Sequence, residues 1–304
     1  MTEPAPLVSV LLIDGSFRES FHAPESFGRQ TFPADRFELI WVEHGDRVKP
    51  ELTALAAARP NFRILTLGRR EPYHSAYCRN AGLRASRGEL IVYADGDVAV
   101  EEDFLQSVWD EHRKADDLVM FLYRHDEPRH LHRDDWNLEH LRAVGRIENP
   151  LNFGACISVR RRWLVEINGW EQHPVFGSEI NAHGVDVHAR LKNLGLAVKW
   201  HPGIRLYHPW HPQSRTSDDA YRLQAAFSAY RARTLGCAAY DGLDPARTTP
   251  VPAELEAELD ALRRRIEAEN RGRFLDPGYY GRLARRTADE ARTRLARALH
   301  LLRS

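Results

Sequence analysis

The chain has 304 residues, 43% of them hydrophobic and 28% charged, the balance of a folded globular protein rather than a disordered one. Lysine plus arginine and aspartate plus glutamate number 43 each, so no net charge recommends nucleic acid as a partner. Cys78, Cys156 and Cys237 stand too far apart for a disulfide framework or a zinc pattern, and no apolar run reaches bilayer-spanning length. Met1 to Pro6 lacks the basic and apolar regions of a secretory signal, so a cytoplasmic, reducing setting is expected. Fifteen histidines are many, and most fall between His125 and His211.

Leu7 to Ile13 reads as a buried strand ending at Asp14-Gly15-Ser16. A helix is expected within Glu19 to Gln30, weakened by Pro24 and Gly28. Phe37 to Val42 is a second strand, ending at Glu43-His44-Gly45-Asp46, and Glu51 to Arg59 is helical by composition. Phe62 to Leu67 is a third strand. Tyr73 to Arg87 carries small and apolar residues at helical spacing, with Gly88 as its stop.

Leu90 to Ala94 is then an apolar run of strand type that ends in Asp95-Gly96-Asp97. In extended backbone, residues two apart share a side, so the two carboxylates are expected to converge. A pair of hard oxygen ligands suits Mg²⁺ or Mn²⁺, and Gly96 would let a polyphosphate approach the backbone. A plain turn after a strand is the competing reading of these three residues. The alternation of strand and helix argues for a parallel sheet with helical crossovers, and ligands sit at the C-terminal edge of such sheets.

Glu101 to Lys114 is a helix and Asp117 to Tyr123 a strand. Arg124 to Asn149 is polar and histidine-rich without a clean period, an irregular excursion with a helix around Asn137 to Val144. Ala155 to Val159 (strand), Arg161 to Ile167 (helix) and Gly184 to Leu194 (helix) follow. Short strands are expected at Ala197 to Trp200 and Ile204 to Tyr207, around Pro202-Gly203. From Ser217 the pattern is helical. Ala253 to Asn270 places Leu255, Leu259, Leu262 and Ile266 on one face, and Tyr279 to Arg303 is a second amphipathic stretch. Such faces dock on the protein's own body, pair in a homodimer or make peripheral contact with the inner face of a membrane; docking on the body is the commonest outcome.

The order of these features resembles glycosyltransferase family 2, inverting enzymes of the GT-A fold. Arg79-Asn80-Ala81-Gly82-Leu83 through Gly88-Glu89 into Asp95-Gly96-Asp97 is similar to the family's first block. Gly169-Trp170-Glu171 with Gly184-Val185-Asp186-Val187 and Arg190-Leu191 resembles its acceptor segment, and Tyr207-His208-Pro209-Trp210-His211-Pro212 its histidine-bearing end. The match runs from about Val8 to Pro212. It departs from the pattern at Asp14-Gly15-Ser16-Phe17, at Glu43-His44, and at Val185-Asp186, where one of two acids is missing.

The resemblance implies a mostly parallel, Rossmann-like sheet flanked by helices, with a catalytic domain over 1–215 and a helical C-terminal extension over 216–304. It implies hexosyl or N-acetylhexosaminyl transfer from a nucleotide-diphosphate sugar, expected to be a UDP-sugar, to a glycan or lipid-linked acceptor. Asp97 would ligate Mn²⁺ or Mg²⁺, Asp95 would bind metal or ribose, and His208 or His211 would complete the set. Asp14, Glu43 and Arg79 would hold the nucleotide, and Trp170 and Glu171 would meet the acceptor sugar. Asp186 would be the base that inversion needs, with Glu179 in reserve. The alternatives are a sugar-nucleotide pyrophosphorylase and an inactive glycosyltransferase-like scaffold subunit.

Overall fold

A computed structural model describes residues 6–15, 18, 20–177, 183–212 and 218–274. Its centre is one eight-stranded sheet. The strands are β1 (Val8–Asp14), β2 (Phe37–Glu43), β3 (Phe62–Thr66), β4 (Leu90–Asp95), β5 (Ala99–Val100), β6 (Leu118–Asp126), β7 (Cys156–Arg160) and β8 (Ala197–His208), in the spatial order β3-β2-β1-β4-β7-β6-β8-β5. The first four are mutually parallel; β7 runs antiparallel between β4 and β6, and β8 is parallel to β6. The helices are α1 (His22–Phe27), α2 (Pro50–Ala57), α3 (Ser75–Ala85), α4 (Phe104–His112), α5 (Leu138–Val144), α6 (Arg161–Glu166), α7 (His183–Asn193), α8 (Asp218–Arg233) and α9 (Ala253–Phe274).

Strand periodicity explains why the central strands read as unbroken apolar runs. On β1, Val8, Val10 and Leu12 enter a core layer with Phe27, Trp41 and Phe104, while Leu11 and Ile13 enter the opposite layer with Leu83, Tyr93 and Trp170. The exception is Ser9, whose hydroxyl donates to Glu38 Oε1 at 2.6 Å and accepts from the Gly88 amide at 2.8 Å. Gly88 is therefore not the stop of α3, which ends at Ala85. A Cβ there would lie 2.6 Å from the Ser9 amide nitrogen, so the glycine is needed for close approach of two chains.

Three elements differ from expectation. The two short strands around Pro202-Gly203 are one strand, β8, and its pairing with β6 carries a register shift between Leu122 and Arg124 that absorbs the proline. β6 continues past Tyr123 to Asp126, which carries the sheet into the histidine-rich excursion. Ala99–Val100 pairs with Tyr207 and Leu206, a two-residue strand too short for any periodicity to reveal.

The C-terminal helices dock on the body. Leu255 and Leu259 of α9 close a small core with Phe227 of α8 and Phe176 from the turn Pro174–Phe176. The predicted stripe Leu255, Leu259, Leu262 and Ile266 is buried throughout. No helix among the described residues is long and apolar enough to cross a membrane. The stretch Tyr279 to Arg303 lies outside the described residues.

Candidate active site

β4 ends at Asp95, and Gly96-Asp97 turn away from the strand. The period of two therefore fails there, and the two carboxylates take different partners while each still stands in the other's field. Asp95 faces Arg124 (Oδ2 to Nη1, 3.7 Å), which also binds Asp126 Oδ1 at 2.8 Å. Asp97 faces the end of β8. Its Oδ2 lies 3.0 Å from His211 Nε2 and 3.5 Å from His208 Nε2, and the two imidazole nitrogens are 3.1 Å apart. The group of convergent ligand atoms is Asp97 with both histidines, where one histidine was expected, and Asp95 stands beside it, its carboxyl raised by burial and by Asp97.

The hydrogen positions follow from the partners. His208 Nδ1 sits 3.0 Å from Asp126 Oδ1 and His211 Nδ1 sits 3.1 Å from the Pro212 carbonyl; both oxygens only accept, so each Nδ1 carries the hydrogen. Each neutral ring then presents its Nε2 lone pair to the other and to Asp97. Three acceptors, from Asp97, His208 and His211, lie within 4.8 Å of one another. Such a convergence needs a cation at its centre, either a proton on one ring or a metal ion. Burial opposes charge on His208, but Asp97 and Asp126 outweigh it and raise its pKa. Burial likewise opposes charge on Asp97, yet Arg18, His208 and His211 hold its carboxyl well below the usual range. Asp97 Oδ1 is buried without a hydrogen bond.

That orphan oxygen and the two lone pairs fit a divalent ion, with Asp126 behind His208 as the carboxylate that orients a ligating imidazole. Two imidazoles suit Mn²⁺ better than Mg²⁺.

Two residues around this centre were not singled out from the sequence. Arg18, just beyond β1, puts Nη1 on Asp97 Oδ2 and Nε 3.5 Å from Asp14 Oδ1. A Cβ on Gly96 would lie 2.8 Å from Arg18 Nε and 3.0 Å from Trp41, so this glycine makes room for the arginine. Glu127 clamps the other side. Its amide donates to the His208 carbonyl at 2.9 Å, and its carboxylate accepts from the Trp210 amide at 2.9 Å. The same carboxylate holds His132 Nδ1 and His140 Nε2 at 2.8 Å each, which ties the histidine-rich excursion to the segment bearing His208 and His211. A strand that ends in two acids, Asp126-Glu127, was the available signal. His22 adds a third support, donating from Nε2 to the Asp97 carbonyl at 2.7 Å.

The expected nucleotide residues are buried at neighbouring strand ends. Asp14 pairs with Glu43 across β1 and β2. Burial pushes the Asp14 carboxyl up to about 7 against the pull of Arg18, and Glu43 adds to the rise. Glu43 Oε2 is 3.4 Å from the Trp41 indole nitrogen. Arg79 on α3 lays its guanidinium 4.3 Å from the Trp170 ring centre and 5.5 Å from that of Tyr93, and it is 5% exposed.

The residues expected on the acceptor side lie inside the protein. Trp170 and Glu171 are completely buried. Asn80 brackets Trp170, accepting from its amide at 2.8 Å and donating to its carbonyl at 2.8 Å. Glu171 accepts from the Tyr240 and Asp241 amides at 2.9 and 3.1 Å and from Arg231 Nη2 at 2.5 Å. Asp186, the expected base, is also completely buried, 2.8 Å from Arg190 Nε and 3.5 Å from Arg231 Nε. In this structure the carboxylate faces two guanidiniums and no solvent. These four charges join α7, α8 and the turn before Glu171. Glu179 lies outside the described residues.

Three solved structures of S. aureus TarS share the fold. TarS 1–349 is 15% identical with a TM-score of 0.53 over 73% of this chain and 64% of that one. A longer TarS structure gives 15% and 0.54 over 74% and 39%, and TarS 1–349 in complex with UDP gives 14% and 0.53 over 74% and 64%. The chain thus spans less than two thirds of these proteins, and at such identities the likeness is one of fold, the GT-A fold. No curated protein matches the chain. Residues 23–167, from α1 to the end of α6 and including Asp95 and Asp97, match the model of glycosyl transferase family 2.

Proposed function

We propose that this glycosyltransferase moves a sugar with inversion from a nucleotide-diphosphate donor, a UDP-sugar, to a hydroxyl of a glycan or lipid-linked acceptor, and that it depends on a divalent cation. The observation that carries the reading is the convergence of Asp97 Oδ2, His208 Nε2 and His211 Nε2 beside the end of β4. UDP is favoured because the fold is shared with a TarS structure in complex with that nucleotide.

Asp97, His208 and His211 would hold Mn²⁺, which when bound neutralises charge on the departing diphosphate. Asp14 and Glu43 border the same sheet edge and serve the nucleoside, Asp14 as a carboxyl whose raised pKa leaves it able to donate as well as accept near neutrality. Arg79 lies behind Asp95 and supports the electrostatics of the donor end. With Asp186 enclosed, the base falls to Glu179, the one carboxylate in the segment between Gly177 and α7.

The test is calorimetry of UDP binding with Mn²⁺ and with EDTA. Wild-type protein should bind only with the cation, and Asp97→Ala should lose at least about 100-fold in affinity. Equal affinity in the variant, or indifference to EDTA, sinks the metal assignment.

A further inference from the structure

The cation nearest Asp97 is one the chain supplies itself. Arg18 Nη1 contacts Asp97 Oδ2, the same oxygen that His211 approaches at 3.0 Å. Its Nε lies 3.5 Å from Asp14 Oδ1, its amide 3.4 Å from Asp14 Oδ2, and Asp95 adds a third negative charge to its field. The arginine is held in place by shape as well as charge, since Gly96 leaves the space its Nε and Cδ fill. Asp97 Oδ1, by contrast, has no hydrogen-bonding partner.

A guanidinium and a divalent ion on one carboxylate repel each other, and the largely buried Arg18 and Asp97 side chains leave that repulsion weakly screened. We propose that Arg18 is a placeholder cation: it neutralises Asp97 while no donor is bound, opposes metal binding at Asp97, His208 and His211, and passes to the diphosphate when the donor arrives. A diphosphate offers bidentate oxygen pairs that match the planar fork of arginine better than a single shared carboxylate oxygen does. Arg18 leaving Asp97 for phosphate then frees Oδ2 for the metal. Metal and nucleotide thereby become mutually dependent through one side chain, each raising the affinity of the other by the same factor. The inference rests on the metal reading above and adds to it a direction that no packing role for Arg18 would produce.

The experiment measures Mn²⁺ affinity of the full chain by electron paramagnetic resonance, with and without UDP, for wild type, Arg18→Gln, Arg18→Lys and Asp97→Asn. Without UDP, Arg18→Gln should bind Mn²⁺ about tenfold more tightly than wild type, and Arg18→Lys, which keeps the charge, within about threefold of it. UDP should tighten Mn²⁺ binding less in Arg18→Gln than in wild type, because no cation remains to be moved. A purely structural arginine predicts the reverse, a loosened site that binds the ion more weakly. Equal or weaker binding by Arg18→Gln, with binding still lost in Asp97→Asn, overturns the placeholder role and leaves the metal site standing. Absence of Mn²⁺ binding in all four proteins overturns both.

Discussion

At the scale of single residues, two aspartates show how type and position mislead until surroundings are known. Asp97 is reached by two imidazoles and an arginine, whereas Asp186, at the first turn of α7, is spent on Arg190 and Arg231. Breaking a buried pair by removing one partner's charge is costly, and Asp186→Asn should lower unfolding free energy by about 3 kcal/mol in urea titrations. Its folded fraction should still transfer sugar. Glu179→Gln should behave oppositely, with stability within about 0.5 kcal/mol of wild type and transfer lost while UDP still binds. Full transfer by Glu179→Gln, or an unperturbed fold with dead chemistry in Asp186→Asn, would return the base role to Asp186.

At the scale of elements, α8 and α9 close against parts of the chain that are remote in sequence. Phe227 and Leu259 meet Phe176, and Arg231 reaches Glu171 and Asp186. These contacts give the amphipathic stripe of α9 a partner within the chain. Leu259→Ala should therefore cost about 3 kcal/mol, the expense of a cavity in a closed core, as read by thermal or urea unfolding. A loss below about 0.5 kcal/mol would mean that α9 contributes nothing to the body. The turn that presents Trp170 depends on backbone form: Asn168 and Gly169 both take positive φ, 56° and 67°, and a Cβ on Gly169 would lie 2.4 Å from Asn80 Oδ1. Asn80 and Trp170, which stand in two blocks 90 residues apart, are thus physical partners.

At the scale of the whole molecule, buried neutral histidines set the response to acid. His112 is completely buried against Ser158 Oγ at 2.8 Å, and burial, with Arg160 nearby, lowers its pKa to about 4. His74 and His183 are lowered too, first by burial and then, for His183, by His74. A histidine with a depressed folded pKa takes up its proton more readily when unfolded, so unfolding absorbs protons between the two pKa values. Stability contributed by His112 is complete above about 6.5 and lost as pH falls toward about 4, to the extent of about 3 kcal/mol. Urea unfolding at pH 7, 6 and 5 should show that decline, and His112→Gln should show a shallower one; parallel declines would dismiss the linkage.

The parallel half of the sheet, the helices between its strands and the strand ending in Asp95-Gly96-Asp97 were legible in the sequence because periodicity and apolar runs are local properties of the chain. His208 and His211 were legible as candidates through the resemblance of the stretch from Tyr207 to Pro212 to the family's histidine-bearing end. Tertiary structure decided that both rings meet Asp97 while Asp95 faces Arg124, because the turn at Gly96 ends the strand period. It also decided that Asp186, Glu171 and Trp170 lie inside, and that Arg18, Asp126 and Glu127 stand around His208 and His211. Charge type and helix position say nothing of what an ion faces. That depends on which elements the fold brings against it, and here those come from opposite ends of the chain.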